Sequence, residues 1–244
     1  MPRYFIEVAY RGTHYSGFQV QQNANSIQTE IEKALKIYFR NEFSLTGSSR
    51  TDAGVHALQN YFHFDSDGEV KDASYQLNAI LPDDIVVKRI FKVDDEAHSR
   101  FDAVSREYRY YVYEKKDPFV EDRAYYYPYT LDIQKMQAAA AEVLLHSDFT
   151  SFSKRNTQVK SFLCNIIKSE WIRENDRWVY NVVANRFLRG MVKGLVGTML
   201  QVGRGKIDLD KFLDIIVSQD CMKADFSVPS HGLFLVAVNF QNPL

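Results

Sequence analysis

From Arg3 to Arg11 apolar and polar residues alternate (RYFIEVAYR), the period expected of a half-buried strand. Residues 12–25 turn polar, contain glycine and read as a loop. Asn25 with Gln28 resembles a capping box, and Ile27, Ile31, Leu35, Tyr38 and Phe39 then recur at helical spacing. A second strand is expected over residues 55–64, after a run of small residues, and 65–74 are charged and loop-like. The aromatic-rich segment 106–113 predicts another strand. Asp132 opens a helix with Ile133, Met136, Ala140, Val143 and Leu144 on one face. Residues 160–173 and 177–184 suggest a hairpin around 174–176. Phe187 to Leu200 predicts a strongly periodic helix, Leu209 to Val217 a shorter one, and Gly232 to Phe240 a closing strand.

That order, with hairpins instead of alternating crossovers, favours α+β over a doubly wound parallel sheet. No proline-rich linker marks a boundary; the least structured candidates lie near 94–105 and 114–130. At 244 residues the chain suffices for one large domain or two small ones with a good core. No run of 18 apolar residues is present and Met1-Pro2-Arg3 leads straight into a strand, so neither a membrane span nor a signal peptide is expected. Cys164 and Cys221 are too few and too far apart for a zinc motif or a disulfide framework, and read as small buried hydrophobes. The net charge of −1 argues weakly against nucleic acid, but its distribution argues the other way. Residues 65–96 carry nine acidic and four basic side chains, whereas 154–206 carry eleven basic and three acidic, which suggests one basic face.

Candidate chemistry centres on residues 46–57, TGSSRTDAGVHA. Asp52 stands at a turn between structured elements with Arg50 close by, the layout of an active-site nucleophile or base. A neighbouring cation holds such a carboxylate ionised, and Gly54 allows a tight turn beside a ligand. By itself the string also fits an Asx-turn with a surface ion pair. There is no Walker lysine, G-x-G-x-x-G, H-E-x-x-H or C-x-x-C, and His56 and His63, seven apart, would face opposite sides of a strand. No cofactor and no metal are therefore expected.

The string RTDAGVHA resembles the catalytic motif of the tRNA pseudouridine synthase A family, and further matches follow in order. They are Tyr10-Arg11-Gly12 with Tyr15 to Gln21 (YSGFQVQ), LNAILP at 77–82, AHSRF at 97–101, REYRY at 106–110, DFTSF at 148–152, ANRFLRGMVK at 184–193 and GLFLV at 232–236. The resemblance covers about residues 3 to 240. Three positions depart from the family pattern: Arg11 replaces an Asp, Ser49 a Gly and Lys193 an Arg. Lysine keeps the charge but loses the bidentate fork.

The resemblance implies two related α+β halves, at 1–104 and 105–244, sharing a mainly antiparallel sheet with the active-site cleft between them. It implies isomerisation of uridine to pseudouridine at positions 38–40 of the anticodon stem-loop by a cytoplasmic homodimer that binds tRNA. Asp52 would be the catalytic carboxylate. Arg50 would pair with it or fill the space left by the flipped base. Tyr108 matches the tyrosine that stacks on the uracil, Lys193 the basic position beside the aspartate, and Leu233 a residue packing on the base. Gln19, Arg100, Arg106, Arg109, Arg155, Arg186 and Arg189 are candidates for positioning RNA, since basic groups among aromatics suit phosphates and unstacked bases. A hydrolase of N-glycosidic bonds and a non-catalytic RNA-binding module are the other classes the residues allow.

Overall fold

A computed structural model describes residues 1–155 and 159–241. Among them are nine strands and five α-helices, and the fold is α+β. Contacts group the chain into two compact units. One holds Met1–Val104 and the chain from Phe234 onward, the other Ser105–Leu233. The closing strand lies with the first unit, because its start pairs with a strand there.

In the first unit β1 (Arg3–Tyr10) is central, antiparallel to both β3 (His56–Asp65) and β4 (Ile85–Lys92). Strand β2 (Thr46–Gly47) pairs antiparallel with β3, and β9 (Leu233–Phe240) pairs parallel with it at His56↔Phe234 and Ala57↔Leu235. Being central, β1 does not show the alternating burial its sequence suggests: Tyr4 to Val8 are all buried. On one face Phe5 meets Phe91, His63, Tyr61 and Phe240. On the other, Tyr4 stacks on Phe64, which Phe43 and then Phe39 extend toward α1 (Ile27–Phe39). Helix α1 buries Ile27, Ile31 and Leu35. Its cap is Ser26, not Asn25: the Ser26 backbone is extended and its hydroxyl accepts from the Thr29 N–H at 3.2 Å. The short α2 (Ser74–Asn78) and β4 lie in a stretch with no strong sequence signal.

The buried charge of Glu7 on β1 is satisfied by Arg89 on β4 (2.8 Å) and Gln59 on β3 (3.0 Å), and these donors hold its carboxyl below the usual range against desolvation.

In the second unit β8 (Arg177–Ala184) lies between β5 (Ala103–Tyr113) and β7 (Ile166–Glu174), antiparallel to both, with β6 (Tyr125–Tyr126) alongside β5. The expected hairpin is present but its first strand starts at Ile166, not 160. Helix α3 (Ile133–Val143), capped by Asp132 as expected, packs on β7 and on α4 (Met191–Gly203). Of α4 only Lys193 and Gln201 escape full burial. It begins at Met191, not Phe187, because Gly190 adopts φ +75° and breaks the right-handed helix there. The helix α5 (Leu209–Val217) has the expected bounds. Cys164 is buried, which pushes its thiol up to about 11, and Cys221 is half-buried; both are free. No helix among the described residues is long and apolar enough to cross a membrane.

His63 offers a test of this packing. Its Nδ1 lies 2.9 Å from the Ser99 hydroxyl, and burial, followed by the nearby His98, pushes its pKa from 6.5 to about 4. The unfolded chain thus binds a proton that the folded one refuses between those values. This group costs nothing above about pH 6.5 and weakens folding as pH falls toward 4. The melting temperature should drop between pH 6.5 and 5, and His63→Gln should flatten that drop; parallel curves for parent and variant would contradict the assignment.

Candidate active site

Asp52 sits in the link between β2 and β3, half-buried, and its local geometry follows from neighbours in sequence. The Val55 N–H donates to the Asp52 carbonyl at 3.1 Å, closing a four-residue turn. Gly54 takes its third position at φ +77°, where a side chain would be strained, so this glycine is needed for the turn itself. The residues on either side of Asp52 are held from beneath. The Thr51 hydroxyl is 2.8 Å from the Tyr10 hydroxyl, and Asn60 Nδ2 donates to Tyr10 (3.1 Å) and to the Ser49 carbonyl (2.8 Å). Asn60 Oδ1 accepts from the Ser49 and Tyr61 N–H groups. All five residues are buried. From the side, the Phe18 N–H donates to the Thr51 carbonyl, and the Gly12 N–H donates to His56 Nδ1 at 3.1 Å. Gly12 packs so tightly on the Val55 carbonyl that a Cβ there would collide with backbone.

The loop bearing Asp52 is thus clamped by two kinds of contact, side-chain hydrogen bonds and backbone packing, with Asp52 itself half-buried. Arg50 is exposed and forms no ion pair among the described residues, so it is not tied to Asp52. Gln19 is exposed beside buried Phe18, in the segment that braces Thr51. Arg100 is exposed with its guanidinium carbon 5.7 Å from the exposed Phe101 ring. Arg11, the inverted-charge position, is exposed and its N–H donates to the Asp84 carbonyl. No group of three or more His, Cys, Asp or Glu among the described residues could hold a metal.

In the second unit the segment 185–193 gathers several candidates. Tyr108 and Arg106 share one face of β5 by strand alternation. The Tyr108 ring meets Phe187 edge-on at 4.9 Å, and Arg106 donates to the Asn185 carbonyl at 2.9 Å. Arg186 is half-buried and Arg189 exposed. The Lys154 N–H donates to the Arg189 carbonyl, which brings exposed Arg155 to the same neighbourhood. Lys193, half-buried in the first turn of α4, donates to the Ser230 hydroxyl at 3.3 Å. Ser230 precedes Gly232, which packs against the Tyr110 ring, and buried Leu233. Tyr110 itself donates to the Pro229 carbonyl at 2.7 Å, so this segment is anchored to β5. Arg109 is not with this group. It lies on the other face of β5, between Glu107 (3.1 Å) and Glu174 (3.0 Å).

The supporting residues Asn60, Lys154 and Ser230 were not apparent from the sequence. Asn60 carried one signal, a polar residue amid the apolar run of β3; Lys154 stood out only as part of the basic block, and Ser230 not at all.

A family model described as tRNA pseudouridine synthase matches residues 6–102 and 139–241. Proteins named tRNA pseudouridine synthase A are similar over the whole chain. That of Bacteroides fragilis is 47% identical over 246 residues, 99% of this chain and 98% of the relative. That of Parabacteroides distasonis is 45% identical over 247 residues, 100% and 98% of the two chains. A more distant one, from Staphylococcus aureus strain N315, is 37% identical over 237 residues, 96% and 89%. With one family model spanning residues of both units and such identity sustained from end to end, the chain belongs to the tRNA pseudouridine synthase family.

Proposed function

We propose that this tRNA pseudouridine synthase acts at positions 38–40, on the 3′ side of the anticodon stem-loop, with Asp52 as the catalytic carboxylate. Family membership supports tRNA pseudouridylation as the reaction; the ordered motifs support the positions and the residues. The observation that carries the assignment of Asp52 is the buried clamp on both sides of it, which fixes the backbone that bears this one carboxylate. The isomerisation breaks the bond from uracil N1 to the ribose C1′, turns the ring and joins C5 to C1′, while C5 loses a proton and the freed N1 gains one. Nothing is oxidised and no group is donated, so a carboxylate nucleophile and a base suffice.

Tyr108 stacks on the target uracil, Leu233 packs on it, and Lys193 supplies positive charge that keeps the catalytic carboxylate ionised. Arg50, exposed, fills the place in the stem that the extruded base leaves. Extrusion costs roughly a few kcal/mol, which stacking and base-edge hydrogen bonds offset. Gln19, Arg100, Arg106, Arg155, Arg186 and Arg189 position the RNA; Arg109 would meet RNA only on the other face of β5. The enzyme works in the cytoplasm as a homodimer, needs no cofactor, and departs from its family in Arg11 and Lys193 without loss of the reaction.

Asp52→Asn keeps the shape of the turn and removes the nucleophile. Pseudouridine formation should fall by more than about a thousandfold, the scale on which loss of a reacting group acts, with little change in tRNA affinity. Near-normal turnover would sink the assignment. Lys193→Met should lower single-turnover rates at neutral pH more than it lowers affinity, and should move the acid limb of the pH–rate profile upward, because a carboxylate without its cation ionises less readily. Lys193→Arg should be tolerated. A Met-variant profile that overlays the parent would show that Lys193 does not serve the carboxylate.

A further inference from the structure

Segment 124–130 (AYYYPYT) contributes nothing to the chemistry above, yet it builds an ordered aromatic surface in the second unit. Tyr125, Tyr127 and Tyr129 stand in a row with ring centroids 5.3 and 5.0 Å apart. Arg204, which follows the last turn of α4, lays its guanidinium carbon 3.6 Å from the Tyr129 centroid and 5.9 Å from that of Tyr127. Tyr129 is 45% exposed, and Arg204 and Tyr127 are half-buried. The surface is held in place by backbone: the Tyr127 N–H donates to the Tyr113 carbonyl at 2.8 Å, and the Asp132 N–H to the Gly203 carbonyl at 2.8 Å. Arg204 forms no ion pair among the described residues. The neighbouring carboxylate, Asp225, is turned to Gln201 Nε2 (2.7 Å) and the Ser227 N–H (2.8 Å).

A guanidinium held over a ring by a cation–π contact still has its planar N–H edge to offer an acceptor. That planar edge matches phosphate. An exposed tyrosine face suits an unstacked base, whatever its identity. A protein partner recognised by a carboxylate would satisfy Arg204 as well. However, Arg204 and Lys206 end the block 154–206, whose excess of positive charge favours a polyanion. Arg204 is eleven residues beyond Lys193. At ~1.5 Å per residue the two lie roughly 16 Å apart along α4, so a nucleotide here is not the one being isomerised.

We propose that Arg204, Tyr127 and Tyr129 form a further RNA-contact site, with a backbone phosphate on the guanidinium edge and an unstacked base on a tyrosine face, several nucleotides from the target uridine. This rests on tRNA being the substrate. The test is single-turnover pseudouridine formation on unmodified tRNA by parent, Arg204→Gln and Arg204→Lys proteins, with enzyme concentration and salt varied and melting temperature and sedimentation measured alongside. For Arg204→Gln the half-saturating enzyme concentration should rise about tenfold and the rate at saturation should be kept. Its log–log salt dependence should be shallower by about 0.7–0.9, one phosphate's worth. Arg204→Lys should keep the parent's salt slope and fall between the two in affinity, having the charge without the fork. Parent-like half-saturation and slope for Arg204→Gln would overturn the proposal, with or without a lowered melting temperature, since that is the mark of a bracing role. So would a loss of affinity that tracks dissociation of the oligomer, which would make the surface a contact between copies. If the parent protein makes no pseudouridine in tRNA, the functional reading fails first and this site with it; if the parent is active and Arg204→Gln matches it, only this site fails.

Discussion

The Asp52 turn is supported by one buried hydrogen-bond network, and the assignment of function leans on it. Asn60 uses both ends of its amide, toward Ser49 and Tyr61 on one side and toward Tyr10 and Ser49 on the other, and Tyr10 passes the restraint to Thr51. Each such bond adds only about 1 kcal/mol net, too little to explain the arrangement as stabilisation alone. Leaving one member unpaired in this buried site costs about 1–3 kcal/mol, however, so alternative loop positions that break the network are disfavoured. The result is a turn whose backbone on either side of Asp52 is held in one place, the fixed geometry that the proposed role of Asp52 needs.

The same economy governs the second unit. A helix as buried as α4 has few places to put a charge, and Lys193 is one of two residues that escape. Its ammonium is restrained by Ser230, whose segment is pinned in turn to Tyr110 of β5. Basic and aromatic groups then cluster around 185–193 because Gly190 stops the helix early and leaves that stretch as a loop, with Phe187 free to meet Tyr108.

Much of this was legible in the sequence, for identifiable reasons. The bounds of α5 and the Asp132 cap follow from strong local patterns, and the Gly54 turn from the placement of its glycine. The errors have causes equally local. Ser26 beats Asn25 as a cap because capping depends on which backbone is extended, and both residue types cap well. The start of α4 was misplaced because apolar spacing continues through Phe187 and Leu188, while a left-handed glycine leaves no mark on periodicity. The burial of β1 on both faces depends on neighbours supplied by β3 and β4, and Glu7 reads as a solvent-facing residue until Arg89 and Gln59 are seen around it. Arg109 appeared equivalent to Arg106 in a basic, aromatic string, yet a shift of one residue along a strand decides the face, and glutamates occupy the face on which Arg109 lies.

The most direct test of the account is to incubate the purified protein with unmodified tRNA and map pseudouridine at nucleotide resolution while assaying for free uracil. The account predicts pseudouridine at positions 38–40 with no uracil released. Release of uracil would instead indicate glycosidic hydrolysis, and pseudouridine confined to other positions would contradict the proposed target.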